Sequence, residues 1–287
     1  MVKILSVRSE TRPIADDVVP DPSVVSATSI TILIHGYQNS PTKARRSYWR
    51  FEDTFRSAGR ARARARLGEV WGLLWPGNHE NQFLSVVTYS LRIQPAVSTG
   101  ERLADFINRL NPGTTVRLIG HSLGCRVALE TMRQIARLQE KGIYKGPDVE
   151  DVFLLAAAVP VPLCKAGSDS FPTPRGRCAE HVYWSRRDSA LDWKFRAGQS
   201  WFKASERGAA VGRTGDPNRR WTSRLETDLR HGDYWDSPLI ARIIADQVSL
   251  GRTARLGRVL PEDAPDSWAL EERLLDERFP DERGLAA

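Results

Sequence analysis

The sequence has few cysteines and no long apolar run. Its three cysteines, Cys125, Cys164 and Cys178, lack the short regular spacing of a metal-binding cluster. No stretch approaches the roughly 18 apolar residues of a membrane-spanning helix. Charged residues soon interrupt the short apolar stretch at the N-terminus, which therefore differs from a secretory signal. These absences predict a cytoplasmic protein with reduced thiols, and a Cys164–Cys178 disulfide is the alternative.

Basic residues outnumber acidic ones, 42 to 35, for a formal net charge of +7. The densest basic stretch is GRARARARLGE, in which Arg60, Arg62, Arg64 and Arg66 alternate with alanine. Because steps of two residues distribute charge around a helix, a solvated helix end is the first interpretation. An anionic lipid surface is the alternative partner. No nucleic-acid motif accompanies the stretch, so nucleic acid is not an expected partner.

Short apolar runs rich in β-branched residues alternate with amphipathic segments. The runs predict buried strands at 30–36, 69–77, 114–120, 151–159 and 180–185. Helices are predicted over 40–60, 99–113, 121–142 and 237–250. Trp49, Phe51 and Phe55 are expected on the core side of the first helix. This alternation indicates an α/β fold, with a mostly parallel, doubly wound sheet and helices on both faces.

Composition divides the chain into three regions. Residues 1–29 are predicted to form an N-terminal strand/loop extension, because proline, aspartate and serine are frequent over 10–28. Residues 30–251 carry the strands and helices of the α/β domain. Residues 252–287 are acidic where the rest is basic, and they predict a C-terminal tail or helix.

The stretch RLIGHSLGCR, residues 117–126, runs from a predicted strand into a predicted helix. Within it, Gly120, Ser122 and Gly124 form the Gly-x-Ser-x-Gly pattern of a nucleophile elbow. The glycines allow the strand and the helix to approach each other closely. Ser122 would lie at a helix N-terminus, whose N–H groups favour negative charge. Ser122 is therefore the candidate nucleophile.

An earlier strand ends in ILIHGY, and the loop after it supplies a second element of an acyl-transfer site. Such a site needs two donors for the oxyanion that forms when a nucleophile attacks a carbonyl. The N–H of Leu123, directly after the nucleophile, is the first candidate donor. The N–H of Tyr37 is the second, because Gly36 allows its loop to turn toward Ser122.

These motifs resemble the α/β-hydrolase superfamily, and more narrowly a bacterial branch of largely uncharacterised, esterase- and lipase-like hydrolases. The branch has a His-Gly-aromatic-x-Asn loop, a Trp-Pro strand end, a His-Ser-x-Gly elbow followed by Asn or Cys and Arg, and a late Tyr-x-Ser-x-x-Asp-x-Ala-Leu motif. The matching segments are 35–39, 75–76, 121–126 and 183–191. Gly77 stands where the branch often has serine. The match spans roughly 30–250 and implies a serine hydrolase fold without naming a substrate.

The order of catalytic residues along α/β-hydrolase chains is serine, acid, histidine, which selects among the five histidines. Three of them, His35, His79 and His121, come before the nucleophile. His181 lies inside an apolar run that is expected to pack in the sheet. His231 lies in the polar turn LRHGDYW, and its H-x-x-Y-W continuation is similar to the late histidine segment of the family. His231 is therefore the predicted base.

The acid is expected after a strand and before the histidine. Asp188 directly follows EHVYWS and coincides with the aspartate of the family's Asp-x-Ala-Leu motif. Asp192 is the alternative, although it is expected inside the next helix. Asp188 would orient the ring of His231 and stabilise the imidazolium that forms during catalysis.

The segments between the strands are expected to shape the substrate site. The predicted substrate contacts are His35, Gly36, His79, Phe83 and His121. Hydrogen bonds from His35 are also expected to stiffen the oxyanion loop. Three aromatic residues of the later loops, Trp201, Phe202 and Trp221, are either substrate contacts or buried anchors.

Together these residues predict a serine hydrolase that cleaves a small-molecule acyl ester through an acyl-enzyme, as carboxylesterases and lipases do. A thioesterase, acyltransferase or amidase with the same triad is the first alternative. A catalytically silent scaffold that binds a ligand is the second. The chemistry needs neither a metal ion nor an organic cofactor, and the sequence leaves the oligomeric state open.

Overall fold

A seven-stranded parallel sheet forms the centre of the part of the chain that the structure describes. The computed structural model describes residues 2–9, 14–58, 61–77, 90–165, 168, 170–171, 178–199, 207–218 and 220–249. The strands are β1 (Lys3–Ser6), β2 (Ser29–Ile34), β3 (Glu69–Leu74), β4 (Thr115–His121), β5 (Val149–Leu155), β6 (Ala179–Trp184) and β7 (Ser223–Glu226). They lie in the order β1-β3-β2-β4-β5-β6-β7, and every neighbouring pair is parallel. The predicted α/β fold is confirmed.

The helices pack in two groups against this sheet. They are α1 (Pro41–Ala58), α2 (Ala61–Leu67), α3 (Ile93–Asn108), α4 (Gly124–Glu140), α5 (Phe195–Gly198), α6 (Val211–Thr214) and α7 (Pro238–Ser249). Helices α3 and α4 pack together, and α7 packs on α1 and α2. The chain moves in opposite directions along the sheet through α1 and through α4. Because parallel crossovers are right-handed, the two groups cover opposite faces.

Helix α1 buries a different set of aromatic residues from the one predicted. Tyr48, Phe51 and Phe55 are buried, whereas Trp49 is 53% exposed. The prediction for Trp49 is wrong because a helix turns about 100° per residue. Positions 48, 51 and 55 share one face, and position 49 lies beside it.

Two elements have bounds that differ from the prediction by four residues or more. Helix α3 begins at Ile93, six residues before the predicted start, and places Pro95 in its first turn. Proline is tolerated there because its missing N–H would have no partner within the helix. Strand β5 ends at Leu155 instead of continuing to residue 159. The next residue, Ala156, has a φ of 47°, which leaves the extended conformation.

Short strands form both edges of the sheet. Strand β1 belongs to the predicted strand/loop extension, and it pairs with β3. Strand β7 was not predicted, because its sequence SRLE alternates charged and uncharged residues without an apolar run. It pairs with β6 from His181 to Trp184. This pairing matters for the site because His231 follows β7 in the chain.

A buried polar network crosses β4 to β7. The Nε–H of Arg117 donates to Oδ2 of Asp151 at 3.1 Å, and Nε2 of His181 lies 3.2 Å from Oδ1 of the same carboxylate. The other ring nitrogen of His181 lies 2.8 Å from Oγ of Ser223. Arg117 also pairs with Glu150. The histidine that lies in an apolar run is thus part of a network within the sheet.

Removal of the cation from this network is expected to destabilise the fold. Arg117→Met leaves Asp151 buried without its cationic partner, which should lower the free energy of unfolding by about 3–5 kcal/mol. Urea denaturation measures the change. The matched control is Asp236→Asn, which breaks the ion pair of Asp236 with Arg50. The side chains of Asp236 and Arg50 are 46% and 57% exposed, respectively. The free energy of unfolding should fall by less than about 1 kcal/mol in this control. Equal losses in the two variants would contradict the idea that burial makes the loss of Arg117 costly.

Candidate active site

The predicted nucleophile elbow lies between β4 and α4, at the carboxyl edge of the sheet. Ser122 has a φ of 54°, a left-handed conformation that is uncommon for residues other than glycine. Its N–H donates to the carbonyl of Leu155 at 2.9 Å, which ties the turn to β5. A Cβ on Gly124 would lie 2.3 Å from the carbonyl oxygen of Ile34. A larger residue therefore does not fit where the helix passes the end of β2.

Three predicted side chains meet at this edge. Nε2 of His231 lies 2.9 Å from Oγ of Ser122, and Nδ1 lies 2.7 Å from Oδ2 of Asp188. With Nδ1–H donating to the carboxylate, Nε2 carries the lone pair that accepts the serine O–H. Asp188 is fully buried, and its Oδ1 accepts the N–H of Leu191 at 3.0 Å. Only His231 is partly exposed, at 27% of its side chain.

The turn that carries His231 is anchored by the aromatic pair after it. The N–H of Arg230 donates to Oδ2 of Asp233 at 3.0 Å, which closes the turn. Tyr234 and Trp235 are then buried. The ring of Trp235 packs edge-on against Phe51 of α1, with centroids 5.6 Å apart. The polar turn is thus held in place by its apolar continuation.

The loop after β2, which is the predicted oxyanion loop, lies directly against Ser122. A Cβ on Gly36 would come within 2.7 Å of Cβ of Ser122. The carbonyl of Gly36 accepts hydrogen bonds from Nδ1–H of His35 at 2.8 Å and from Nδ2 of Asn39 at 3.3 Å. Because the peptide is trans, the N–H of Tyr37 points away from these donors. The N–H of Leu123, the other predicted donor, has no hydrogen-bond partner among the described residues.

His35 lies beneath this loop and has no exposed surface. Its main-chain N–H donates to the hydroxyl of Tyr48 at 2.9 Å, and its carbonyl accepts Nε1–H of Trp75 at 2.8 Å. Burial lowers the pKa of His35 to about 4, so the ring is neutral near pH 7. The structure thus places His35 where it supports the loop, with no ring edge facing a substrate. The contact of Tyr48 with this loop was missed, because no local pattern in the sequence indicates it.

The sequence matches a protein-family model over more than half of the chain. Residues 17–213 match the family model described as "Alpha/beta hydrolase of unknown function (DUF900)". The chain belongs to this family. The predicted resemblance to α/β hydrolases is confirmed. A comparison of the DUF900 chain with curated proteins finds no match.

Several solved structures are similar to this DUF900 chain. A protein from Xanthomonas campestris described as a hydrolase of the alpha/beta superfamily is 15% identical, with 76% of this chain and 96% of that chain covered and a TM-score of 0.40. Tomato methylketone synthase I is 11% identical, with 79% and 99% covered and a TM-score of 0.43. A type II thioesterase of the yersiniabactin pathway is 14% identical, with 77% and 91% covered and a TM-score of 0.40. All three similarities are at low identity.

The loop after β5 also contributes to the candidate site. The sequence did not indicate this contribution. Ala156 has a φ of 47°, and its N–H donates to the carbonyl of Tyr183 at 3.0 Å. Two residues later, the N–H of Ala158 donates to the carbonyl of Ser122 at 3.1 Å. The loop therefore restrains the main chain of Ser122, the candidate nucleophile. Alanines in an apolar run give no signal for such a role.

The other residues that the sequence singled out are Asp192, Trp221 and four residues that the structure does not describe. Asp192 lies in a π-helical turn, Ala190–Lys194, where its side chain is 52% exposed and its carboxylate lies 3.9 Å from Arg213. Trp221 is buried, and its Nε1–H donates to the carbonyl of Gly215 at 3.1 Å, as expected of an anchor. His79, Phe83, Trp201 and Phe202 lie outside the described residues.

Metal clusters, disulfides and membrane-spanning helices are absent from the described part of the chain. No group of three or more histidine, cysteine, aspartate or glutamate side chains there could hold a metal ion. The three cysteines are free thiols. No helix within the described ranges is both long and apolar enough to cross a bilayer.

Proposed function

We propose that the protein is a serine hydrolase that cleaves a small-molecule acyl ester through an acyl-enzyme. The observation that carries the proposal is the hydrogen-bonded series of Ser122, His231 and Asp188. A serine hydroxyl is a weak nucleophile unless a base takes its proton. Nε2 of His231 lies within hydrogen-bonding distance of that proton.

In the first step, Oγ of Ser122 attacks the carbonyl carbon while Nε2 of His231 takes the proton. The imidazolium that forms is stabilised by the carboxylate of Asp188, which stays ionised. The strained φ of Ser122 presents Oγ above the end of the sheet. A tetrahedral intermediate results, with negative charge on the former carbonyl oxygen.

Two main-chain amides are proposed to bind this oxyanion. The N–H of Leu123 precedes the first turn of α4, where the helix dipole favours negative charge. The N–H of Tyr37 is oriented by the hydrogen bonds that hold the carbonyl of Gly36. Donors fixed before the reaction stabilise the developing charge without reorganisation, and each is worth about 10²- to 10³-fold in rate.

In the second half of the reaction, the imidazolium of His231 gives its proton to the departing alcohol. A water molecule then replaces the alcohol, loses a proton to the same Nε2 and attacks the acyl-enzyme. Hydrolysis releases the carboxylic acid and restores Ser122. No step of this reaction needs a metal ion or an organic cofactor.

Labelling of the native protein with a fluorophosphonate tests the proposal. We expect a single adduct by intact mass, mapped to the peptide that contains Ser122, together with hydrolysis of a panel of esters of graded chain length. Protein unfolded in urea is the control and should not react, because activation depends on the assembled site. The absence of any adduct on the native protein would overturn the proposal in favour of a ligand-binding scaffold.

The same assay separates the alternative reactions. Faster turnover of thioesters or amides than of matched oxygen esters would replace the ester assignment by a thioesterase or an amidase. Capture of the acyl group by an added alcohol in preference to water would indicate an acyltransferase. Hydrolysis that rises on vesicles of anionic phospholipid would indicate a lipid surface as the partner.

A further inference from the structure

His121 connects two parts of the site that are far apart in the chain. Its ring is buried, with 6% of the residue exposed, although it directly precedes Ser122. Nε2 lies 2.7 Å from the main-chain carbonyl oxygen of His231, across a separation of 110 residues. The centroids of the two imidazole rings lie 5.1 Å apart. His121 therefore contacts the segment that carries the proposed base.

The direction of this hydrogen bond fixes which ring nitrogen of His121 carries a proton. A carbonyl oxygen only accepts, so Nε2 of His121 must carry the proton. Burial, together with the nearby charge on His231, lowers the pKa of His121 to about 3. The ring is therefore neutral near pH 7, and Nδ1 is a bare acceptor.

Nδ1 of His121 is buried and has no hydrogen-bond partner among the described residues. It lies 3.2 Å from the position that a Cβ on Gly36 would occupy, so it faces the oxyanion loop. An unsatisfied buried acceptor costs free energy that an apolar residue would avoid. The bond from Nε2 is thus the single polar contact of the ring, and it is made to His231.

This contact links the edge of the sheet to its centre. His121 ends β4, which lies near the middle of the sheet. His231 follows β7, an edge strand of four residues. The buried pair Tyr234 and Trp235 anchors the turn after His231, whereas the hydrogen bond from His121 acts on the main chain of His231 itself. The hydrogen bond from His121 restrains that turn relative to the nucleophile.

Neutrality makes this restraint compatible with the proposed reaction. A second positive charge about 5 Å from the imidazolium of His231 would oppose its formation. Because burial keeps His121 neutral, it can hold the main chain of His231 without opposing the charge that forms on its ring.

We propose that His121 is a positioning residue, whose Nε2–H fixes the main chain of His231 so that its ring meets Ser122. The inference rests on the proposed function, because it assigns a role in activating the nucleophile. It replaces the predicted contact of His121 with substrate. The ring acts through His231 and does not touch the reacting atoms.

A pair of amide substitutions tests this role. His121→Gln carries an N–H at the position of Nε2, whereas His121→Asn carries one at the position of Nδ1. The fluorophosphonate reaction is measured for its maximal rate and its half-saturating concentration, below the unfolding transition of each variant. We expect Gln to retain the maximal rate within about 3-fold and Asn to lower it by about 100-fold, with half-saturation unchanged, because a small displacement of the base slows the reaction without weakening reagent binding.

His181→Asn is the matched control, because it removes a buried histidine of the polar network and should leave the maximal rate unchanged. Equal rates in His121→Gln and His121→Asn would overturn the inference, whether both are fast or both are slow. A change confined to half-saturation would also overturn it and favour a contact with the reagent. Labelling of the native protein remains in all these cases, whereas its loss would overturn the proposed function as well.

Discussion

Ser122→Ala and His231→Ala are each expected to lower kcat for the best ester by at least about 10⁴-fold and to abolish fluorophosphonate labelling. The first variant lacks the nucleophile. The second lacks the group whose Nε2 lies 2.9 Å from the serine hydroxyl. Because the two groups act as one unit, the double variant should be no slower than the slower single variant. Ester hydrolysis measures the fall in kcat, and the intact mass after treatment with the fluorophosphonate measures the loss of labelling.

The protein contains its own control for this experiment. Ser223, His181 and Asp151 are also in hydrogen-bonding contact, but within the sheet and with the carboxylate shared with Arg117. Ser223→Ala should therefore retain labelling and hydrolysis within about 2-fold. Loss of labelling in Ser223→Ala, or its retention in Ser122→Ala, would show that the nucleophile has been misassigned.

Asp188→Asn is expected to lower kcat by about 10⁴-fold while the protein remains folded. The carboxylate accepts Nδ1–H of His231 at 2.7 Å and so leaves the lone pair on Nε2. An amide at this position can donate to Nδ1, which moves the ring proton to Nε2. The ring then presents an N–H to Ser122 and cannot take its proton. Steady-state hydrolysis of the same ester measures the loss.

Asp192→Asn is the matched substitution for the rival acid. Its carboxylate is half-exposed and lies 3.9 Å from Arg213 in the π-helical turn. Its removal should change kcat by less than about 2-fold, since an exposed ion pair contributes little. A large loss in Asp192→Asn with activity retained in Asp188→Asn would reverse the assignment of the acid.

The fold was predictable where a local pattern is strong. The β-branched run that forms β2 and the amphipathic pattern of α4 both lie close to their predicted bounds. Strand β7 was missed because an edge strand with charged residues has no distinctive run. Trp49 was misplaced because an aromatic residue was weighted above its position on the helix. Tertiary pairing, which the local pattern does not contain, decided the first case, and the geometry of the helix decided the second.

The sequence predicted which residues form the candidate site better than it predicted the contacts of those residues. The Gly-x-Ser-x-Gly pattern and the order of the chain select Ser122, Asp188 and His231, and the structure brings the three within hydrogen-bonding distance. The hydrogen bond of His35 to its loop was predicted, but its full burial and the contact of His121 with His231 were not. Both precede the nucleophile, and sequence spacing does not reveal that their rings are buried under the loops.

The sequence by itself determined the alternation of strands and helices and the elbow, because apolar periodicity and glycine positions act over a few residues. Only the tertiary structure decided which side chains meet. His231 is 43 residues from Asp188 and 109 from Ser122, and it reaches both because β7 pairs with β6 at the edge of the sheet. Strand order and the direction of each side chain arise from long-range packing, which no local pattern encodes.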